Sequence, residues 1–140
     1  MDPLLALALV AALVAVATIV GLVWRGTQGR VRRTTGSARL DGVVLASGAT
    51  FVQFSSEFCA PCRATARVLD ELVGSRDGLG HVELDVAERP ELAARFGILQ
   101  TPTTLVVDGR GTVRARIGGA VRRELLTAEL DRVLGAPVAA

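Results

Sequence analysis

The sequence predicts an α/β fold: a mixed β-sheet with helices on both faces, preceded by one N-terminal transmembrane helix. Three observations carry this. Leu4–Trp24 is a 21-residue apolar run, and no charged residue occurs from Pro3 to Trp24. The rest of the chain alternates short β-rich segments with helix-period segments in the order β-α-β-α-β-β-α. A pair of cysteines, Cys59 and Cys62, falls where the first strand gives way to the first helix of that series.

The apolar run comes first. A helix of its length spans roughly 30 Å, the thickness of a bilayer hydrocarbon core. A cleaved signal peptide needs a basic start, a shorter apolar stretch and small residues at its end. Here Asp2 stands at the start and bulky Val23-Trp24-Arg25 at the end, so an uncleaved anchor is the expectation. Trp24 suits the interfacial aromatic belt, and Thr18 can return its hydroxyl proton to a helix carbonyl. Gly26–Ser37 has no apolar periodicity and reads as a tether. The boundaries are then 1–25 for the anchor, 26–39 for a basic linker, 40–136 for a folded domain and 137–140 for a tail.

Within the domain, Thr50–Phe54 is a short apolar run that fits a strand buried on both faces. Cys62, Ala66, Leu69 and Val73, flanked by Val68 and Leu72, form a helical stripe that closes at Gly74. His81–Val86 alternates, with His81 expected at the surface or an edge. Pro90 opens a short helix that Gly97 ends. Thr103–Val107 and Thr112–Ile117 are strands joined by the Asp108-Gly109-Arg110-Gly111 turn. A last helix, about Val121–Leu134, buries Leu126, Leu130, Val133 and Leu134 before Gly135. A parallel βαβ unit followed by a hairpin and a closing helix gives a mixed sheet. Gly118-Gly119 is a strand-to-helix turn with no phosphate role.

Composition separates along the same boundary. Twenty of the 70 apolar residues lie in Met1–Trp24, leaving 50 among the other 116, an ordinary share for a globular domain. All 16 basic residues are Arg. Residues 1–39 carry five of them against Asp2, for +4, whereas residues 40–140 carry 11 against 13 acids, for −2. The basic isoelectric point therefore belongs to a short segment, which excludes a nucleic-acid-binding domain. Arg25, Arg30, Arg32, Arg33 and Arg39 all follow the anchor, so the positive-inside rule places the domain on the cytoplasmic side of the cell membrane. An extracytoplasmic domain is the alternative. The same arginines suit anionic headgroups of the lipid bilayer. Two cysteines and one His exclude a disulfide scaffold and fall short of a structural zinc site, so no metal is expected.

Cys59-Ala60-Pro61-Cys62 carries the chemistry. At the first turn of a helix, unpaired N–H groups and the positive dipole end favour thiolate over thiol. Cys59 sits at the helix mouth as the nucleophile, and Cys62 lies on the apolar stripe, shielded. Pro61 fixes the turn without losing a hydrogen bond. Cys59 would attack a substrate disulfide, and Cys62 would then resolve the mixed disulfide. A merely structural bridge is the weaker reading, because closing so short a loop removes little unfolded-state entropy. A cysteine-pair metal chaperone lacks Met or further His. Glu57 and Arg63 flank the pair as exposed charges, and Ser55 and Ser56 are turn formers.

Phe51-Val52-Gln53-Phe54-Ser55-Ser56-Glu57-Phe58-Cys59-Ala60-Pro61-Cys62-Arg63, with Phe96-Gly97-Ile98-Leu99-Gln100-Thr101-Pro102-Thr103 downstream, resembles the thioredoxin family. The likeness runs from about Leu40 to Gly135, and short membrane-anchored bacterial thioredoxin-like proteins share the layout. The resemblance implies a thioredoxin-like sheet and a protein-disulfide oxidoreductase that needs no cofactor. It also implies protein disulfide or dithiol substrates and a redox partner of unspecified identity. It makes Pro102 a cis proline packed on the cysteine pair, and Thr101 the residue whose backbone receives the substrate strand. Phe58, Ala60 and Pro61 line the mouth; Phe58 stands where thioredoxin has Trp, and Ala60 where it has Gly. Gln53 takes the place of a buried carboxylate that deprotonates the second cysteine, and Glu83 that of its Lys partner. Gln is no general base, so proton transfer would be slow or would use Glu83 or water. The non-catalytic alternative is an interaction module that docks a strand of a membrane partner at the Pro102 edge.

Overall fold

All seven residues of β2 (Ala49–Ser55) are buried, as expected of a strand covered on both faces, the polar Thr50, Gln53 and Ser55 included. The computed structural model describes residues 2–34 and 38–135. In it, the N-terminal helix α1 (Pro3–Thr27) precedes a short strand β1 (Arg30–Arg33) and then β2. Helix α2 (Ala60–Gly74) crosses over to β3 (Leu79–Asp85), which pairs parallel with β2. Helix α3 (Pro90–Arg95) leads to β4 (Thr103–Asp108), antiparallel to β2 on its other side. A turn at Asp108 feeds β5 (Val113–Gly118), and helix α4 (Arg123–Gly135) closes the domain. The sheet order is β1-β5-β4-β2-β3.

Each face of the sheet has its own core. On one, Phe51, Val106 and Ile117 meet Leu69 and Leu72 of α2 and Leu126 and Leu130 of α4. On the other, Val52, Phe54, Leu105 and Val107 meet Leu40, Leu84 and Leu92, with Phe96 packed behind. The predicted order of elements from Thr50 onward and the mixed sheet both stand. Helix α1 buries none of its residues, and the Thr18 hydroxyl donates to the Val14 carbonyl at 2.7 Å.

Several expectations are corrected. The tether reading fails at Arg30–Arg33, which pairs antiparallel with β5 as an edge strand in register from Arg30↔Gly118 to Arg33↔Ala115. Its only apolar residue, Val31, leans on the core. A strand held by backbone bonds and one side chain leaves almost no periodicity to read. Helix α4 starts at Arg123 because Val121 is used in the core instead. Leu134 is 48% exposed, and Glu129 takes the buried place on the stripe with Leu126, Leu130 and partly buried Val133. On α2 the stripe is centred on Cys62, Thr65, Leu69 and Leu72, so Thr65 displaces Ala66. His81 does lie on edge strand β3, but its side chain is only 8% exposed, with Nδ1 2.7 Å from Asp70 Oδ1. The tail at 137–140 and linker residues Thr35–Ser37 lie outside the described residues.

Candidate active site

β2 ends at Ser55, and the chain turns through Ser56–Phe58 into α2. The Cys59 N–H donates to the Ser56 carbonyl at 3.2 Å, which sets Cys59 as the N-cap of the helix in an extended conformation. Its Sγ accepts the Cys62 backbone N–H at 3.2 Å, the bond that Ser or Asp makes at an ordinary N-cap. In the reduced state the same N–H and the helix dipole favour a thiolate there. Here Cys59 and Cys62 are joined as a disulfide, their Cα atoms 5.2 Å apart. The two sulfurs differ in access: Cys59 is partly exposed, Cys62 only 2% exposed. Pro61 sits in the first turn of the helix, where it displaces no hydrogen bond.

Beneath α2, Gln53 is completely buried, and its Nε2 donates to the Cys62 carbonyl at 2.9 Å. Its Oε1 has no hydrogen-bond partner among the described residues. Glu83 is the register partner of Gln53 on β3, yet it is exposed at the sheet edge. The Thr101–Pro102 bond is cis, Pro102 is buried, and the Thr101 hydroxyl lies 3.3 Å from that of Ser56. The Gly119 N–H donates to the Pro102 carbonyl at 2.7 Å, so the end of β5 adjoins the proline loop.

The family model for thioredoxin matches residues 32–132. The chain belongs to the thioredoxin family. It is 38% identical over 89 residues to the thioredoxin of Staphylococcus haemolyticus, covering 63% of this chain and 85% of that one. It is 35% identical over 109 residues to the chloroplastic M-type thioredoxin of Chlamydomonas reinhardtii, covering 74% and 77%. Among solved structures, a point-mutant thioredoxin of Halobacterium salinarum superposes with a TM-score of 0.57 over 65% of this chain and 79% of that one. At 19% identity, that likeness speaks to the fold. This thioredoxin-family chain is a thiol–disulfide oxidoreductase with Cys59 and Cys62 as its C-x-x-C pair.

Around that pair the structure gathers Phe58, Ala60, Pro61, Thr101 and Pro102 at one end of the sheet, with Gln53 beneath. Glu83 is set apart on the exposed edge strand. Phe58 is 91% exposed, and Leu99, which sequence reasoning passed over, is 95% exposed. Leu99, Ile98, Gln100, Thr101, Ser56 and Val86 line an open depression of about 250 Å³. The missed signal was Ile98-Leu99, two large apolar residues between Gly97 and Pro102 that belong to no predicted element. Gly119 was also missed as a neighbour of the site; its φ of +83° marks a turn that suits glycine.

Proposed function

We propose that this chain is a membrane-tethered member of the family that exchanges disulfides in protein substrates near the bilayer, with its domain on the cytoplasmic side. One observation carries the reading. An exposed-and-shielded cysteine pair stands on a domain whose preceding helix is 25 residues long and apolar, with none of its residues buried. A helix of that composition finds no cover among the described residues, and a bilayer supplies it. Arg25 in its last turn and the four arginines that follow support the cytoplasmic side.

In the reducing direction the Cys59 thiolate attacks one sulfur of a substrate disulfide, and the other substrate sulfur leaves and takes a proton. The Cys62 thiolate then attacks Cys59 Sγ, and the second substrate sulfur leaves as a thiol. Two electrons and two protons pass to the substrate, and the chain ends as the Cys59–Cys62 disulfide. A cellular dithiol donor restores the reduced pair. Phe58, Ala60 and Pro61 form the mouth, and the backbone at Thr101 beside Pro102 receives the substrate strand. Gln53 anchors the Cys62 carbonyl, and with Glu83 exposed the Cys62 proton passes to water.

Trapping tests both halves. Full-length Cys62→Ser expressed in cells should accumulate mixed disulfides through Cys59 that dissolve on reduction and remain in membranes after alkaline carbonate washing. Absence of adducts removes the assigned roles of the cysteines. Release of the chain by carbonate removes the tether.

A further inference from the structure

Only Gln28 and Gly29 separate the last residue of α1 from the first residue of β1, and both are docked on the domain. Gly29 is buried, and its N–H donates to the Gly118 carbonyl at 2.8 Å. A Cβ on Gly29 would stand 3.3 Å from the Ala120 carbonyl oxygen, and its φ of +73° suits glycine. Gln28 lies against Gly119, where a Cβ would meet its Oε1 at 2.5 Å. The helix therefore enters the domain through the Gly118-Gly119-Ala120 turn, whose Gly119 N–H is bonded to the Pro102 carbonyl.

Strand register fixes which end of the molecule this is. Arg30 pairs with Gly118, Gly118 with Thr103, and Thr103 with Phe54, so these residues form one row across the sheet. That row borders the redox site: Thr103 follows Pro102, and Phe54 comes five residues before Cys59. Three strand spacings separate Arg30 from Phe54, roughly 15 Å. Helix α1 buries no residue against the domain, so it projects away from this end and does not fold back along the sheet. Exposed Arg30 stands in this row, Arg25 lies in the last turn of the helix and Arg32 two residues further along β1, and none of the three makes an ion pair among the described residues. Phe58 and Leu99, the most exposed large apolar side chains among the described residues, flank the pair on this end too.

We propose that the redox site is held facing the bilayer, on the order of 20 Å from the helix exit, and that its substrates are disulfides in juxtamembrane segments of membrane proteins. The inference rests on the tethered reading above and deepens it. A two-residue docked connection gives the site almost no reach. Arginines at the helix exit hold headgroup phosphates, and the interfacial zone accommodates Phe58 and Leu99. A disulfide held many tens of ångströms from the membrane is out of register with this site.

The test reconstitutes the full-length chain in vesicles of phosphatidylcholine and phosphatidylglycerol, reduces it with dithiothreitol and removes the excess. Each probe is a fluorogenic disulfide peptide on a lipid anchor, with a spacer of about 2 or about 40 Gly/Ser residues, the latter reaching roughly 35 Å. The short-spacer probe should be reduced at least about tenfold faster, since tethering raises effective concentration only where geometry permits engagement. An insertion of about 20 Gly/Ser residues between Thr27 and Gln28 should bring the two rates within about twofold of each other while leaving reduction of a soluble peptide unchanged. Equal rates with the unaltered chain, or preference for the long spacer, overturn the inference while the tether stands. Failure of the chain to float with carbonate-washed vesicles overturns the tether and this inference together.

Discussion

A single hydrogen bond of 2.9 Å links Gln53 to the redox helix, and it runs from the amide Nε2 to the Cys62 carbonyl. That direction leaves Oε1 facing the interior with no donor among the described residues, the kind of orphan acceptor that costs about 1–3 kcal/mol. Gln53→Leu removes the bond and the orphan together, so its unfolding free energy should stay within about 1 kcal/mol of the parent by urea titration in detergent. Gln53→Asp is the informative opposite. Burial raises the pKa of a carboxyl placed there, because desolvation disfavours the charged form. The new group then accepts the Cys62 proton increasingly as pH rises. Resolution of a Cys59 mixed disulfide, followed by stopped flow, should quicken by about tenfold and gain a pH-dependent step. Glu83→Gln should leave that profile unchanged, since Glu83 is exposed on the edge strand. If the Gln53→Asp profile is flat and matches the parent, proton transfer at Cys62 does not govern the step. Gln53 was legible as an oddity only through the family resemblance, which expects a buried carboxylate in its place. The direction of its bond was not, since an amide has both a donor and an acceptor end.

At the scale of elements, the strands and helices of the two cores were legible because burial imposes a period on them. β1 was not, and its consequences reach α4. Its pairing with β5 brings Arg33 to Glu129, Nε to Oε2 at 3.6 Å, which explains a carboxylate only 4% exposed on the apolar stripe of α4. Arg33→Ala strips the buried charge of its partner and should destabilise the fold by about 1–2 kcal/mol, more than an exposed pair would. Glu129→Leu replaces the charge with the hydrophobe the stripe expects and leaves Arg33, 58% exposed, in water; it should be neutral or stabilising in the same titration. The β4–β5 turn supplies a pH-dependent counterpart. Partial burial pushes the Asp108 carboxyl up, but the Thr112 N–H, the Arg114 guanidinium and the Arg110 N–H together hold it below the ordinary aspartate value. A carboxyl depressed in the folded state stabilises fully above its unfolded pKa and loses that contribution as pH falls through the folded value. Asp108→Asn should therefore cost about 1 kcal/mol at neutral pH and flatten the decline in stability below about pH 4. A parent and variant with the same acid slope would show that this turn contributes nothing to it.

Over the whole molecule, charge and hydropathy partition along the chain before any fold is known, which is why the apolar N-terminal helix and the acidic domain were legible together. What composition does not carry is distance. Four arginines in a linker look the same whether the linker roams or is sewn to a sheet, and only the register of β1 ties Arg30 to the end that bears the redox pair, with Arg32 two residues further along the strand. Because these residues are exposed and lack ion-pair partners among the described residues, they can be changed without unpicking the fold. That makes topology separable from stability. With a reporter fused after Ala140, the unaltered chain should be active only with a reporter that works in the cytoplasm, as the basic flank dictates. Replacing Arg25, Arg30 and Arg32 with Gln, together with Asp2→Arg, levels the basic charge across the apolar run, the introduced arginine and the terminal amine standing against Arg33 and Arg39, while keeping Arg33 on Glu129. About half or more of the molecules should then present the domain on the opposite side, read as gain of activity by a reporter that requires export. Export-dependent activity from the unaltered chain would reverse the assignment of side. It would leave the short, docked connection between helix and redox site as it is, so the site would face the same bilayer from outside.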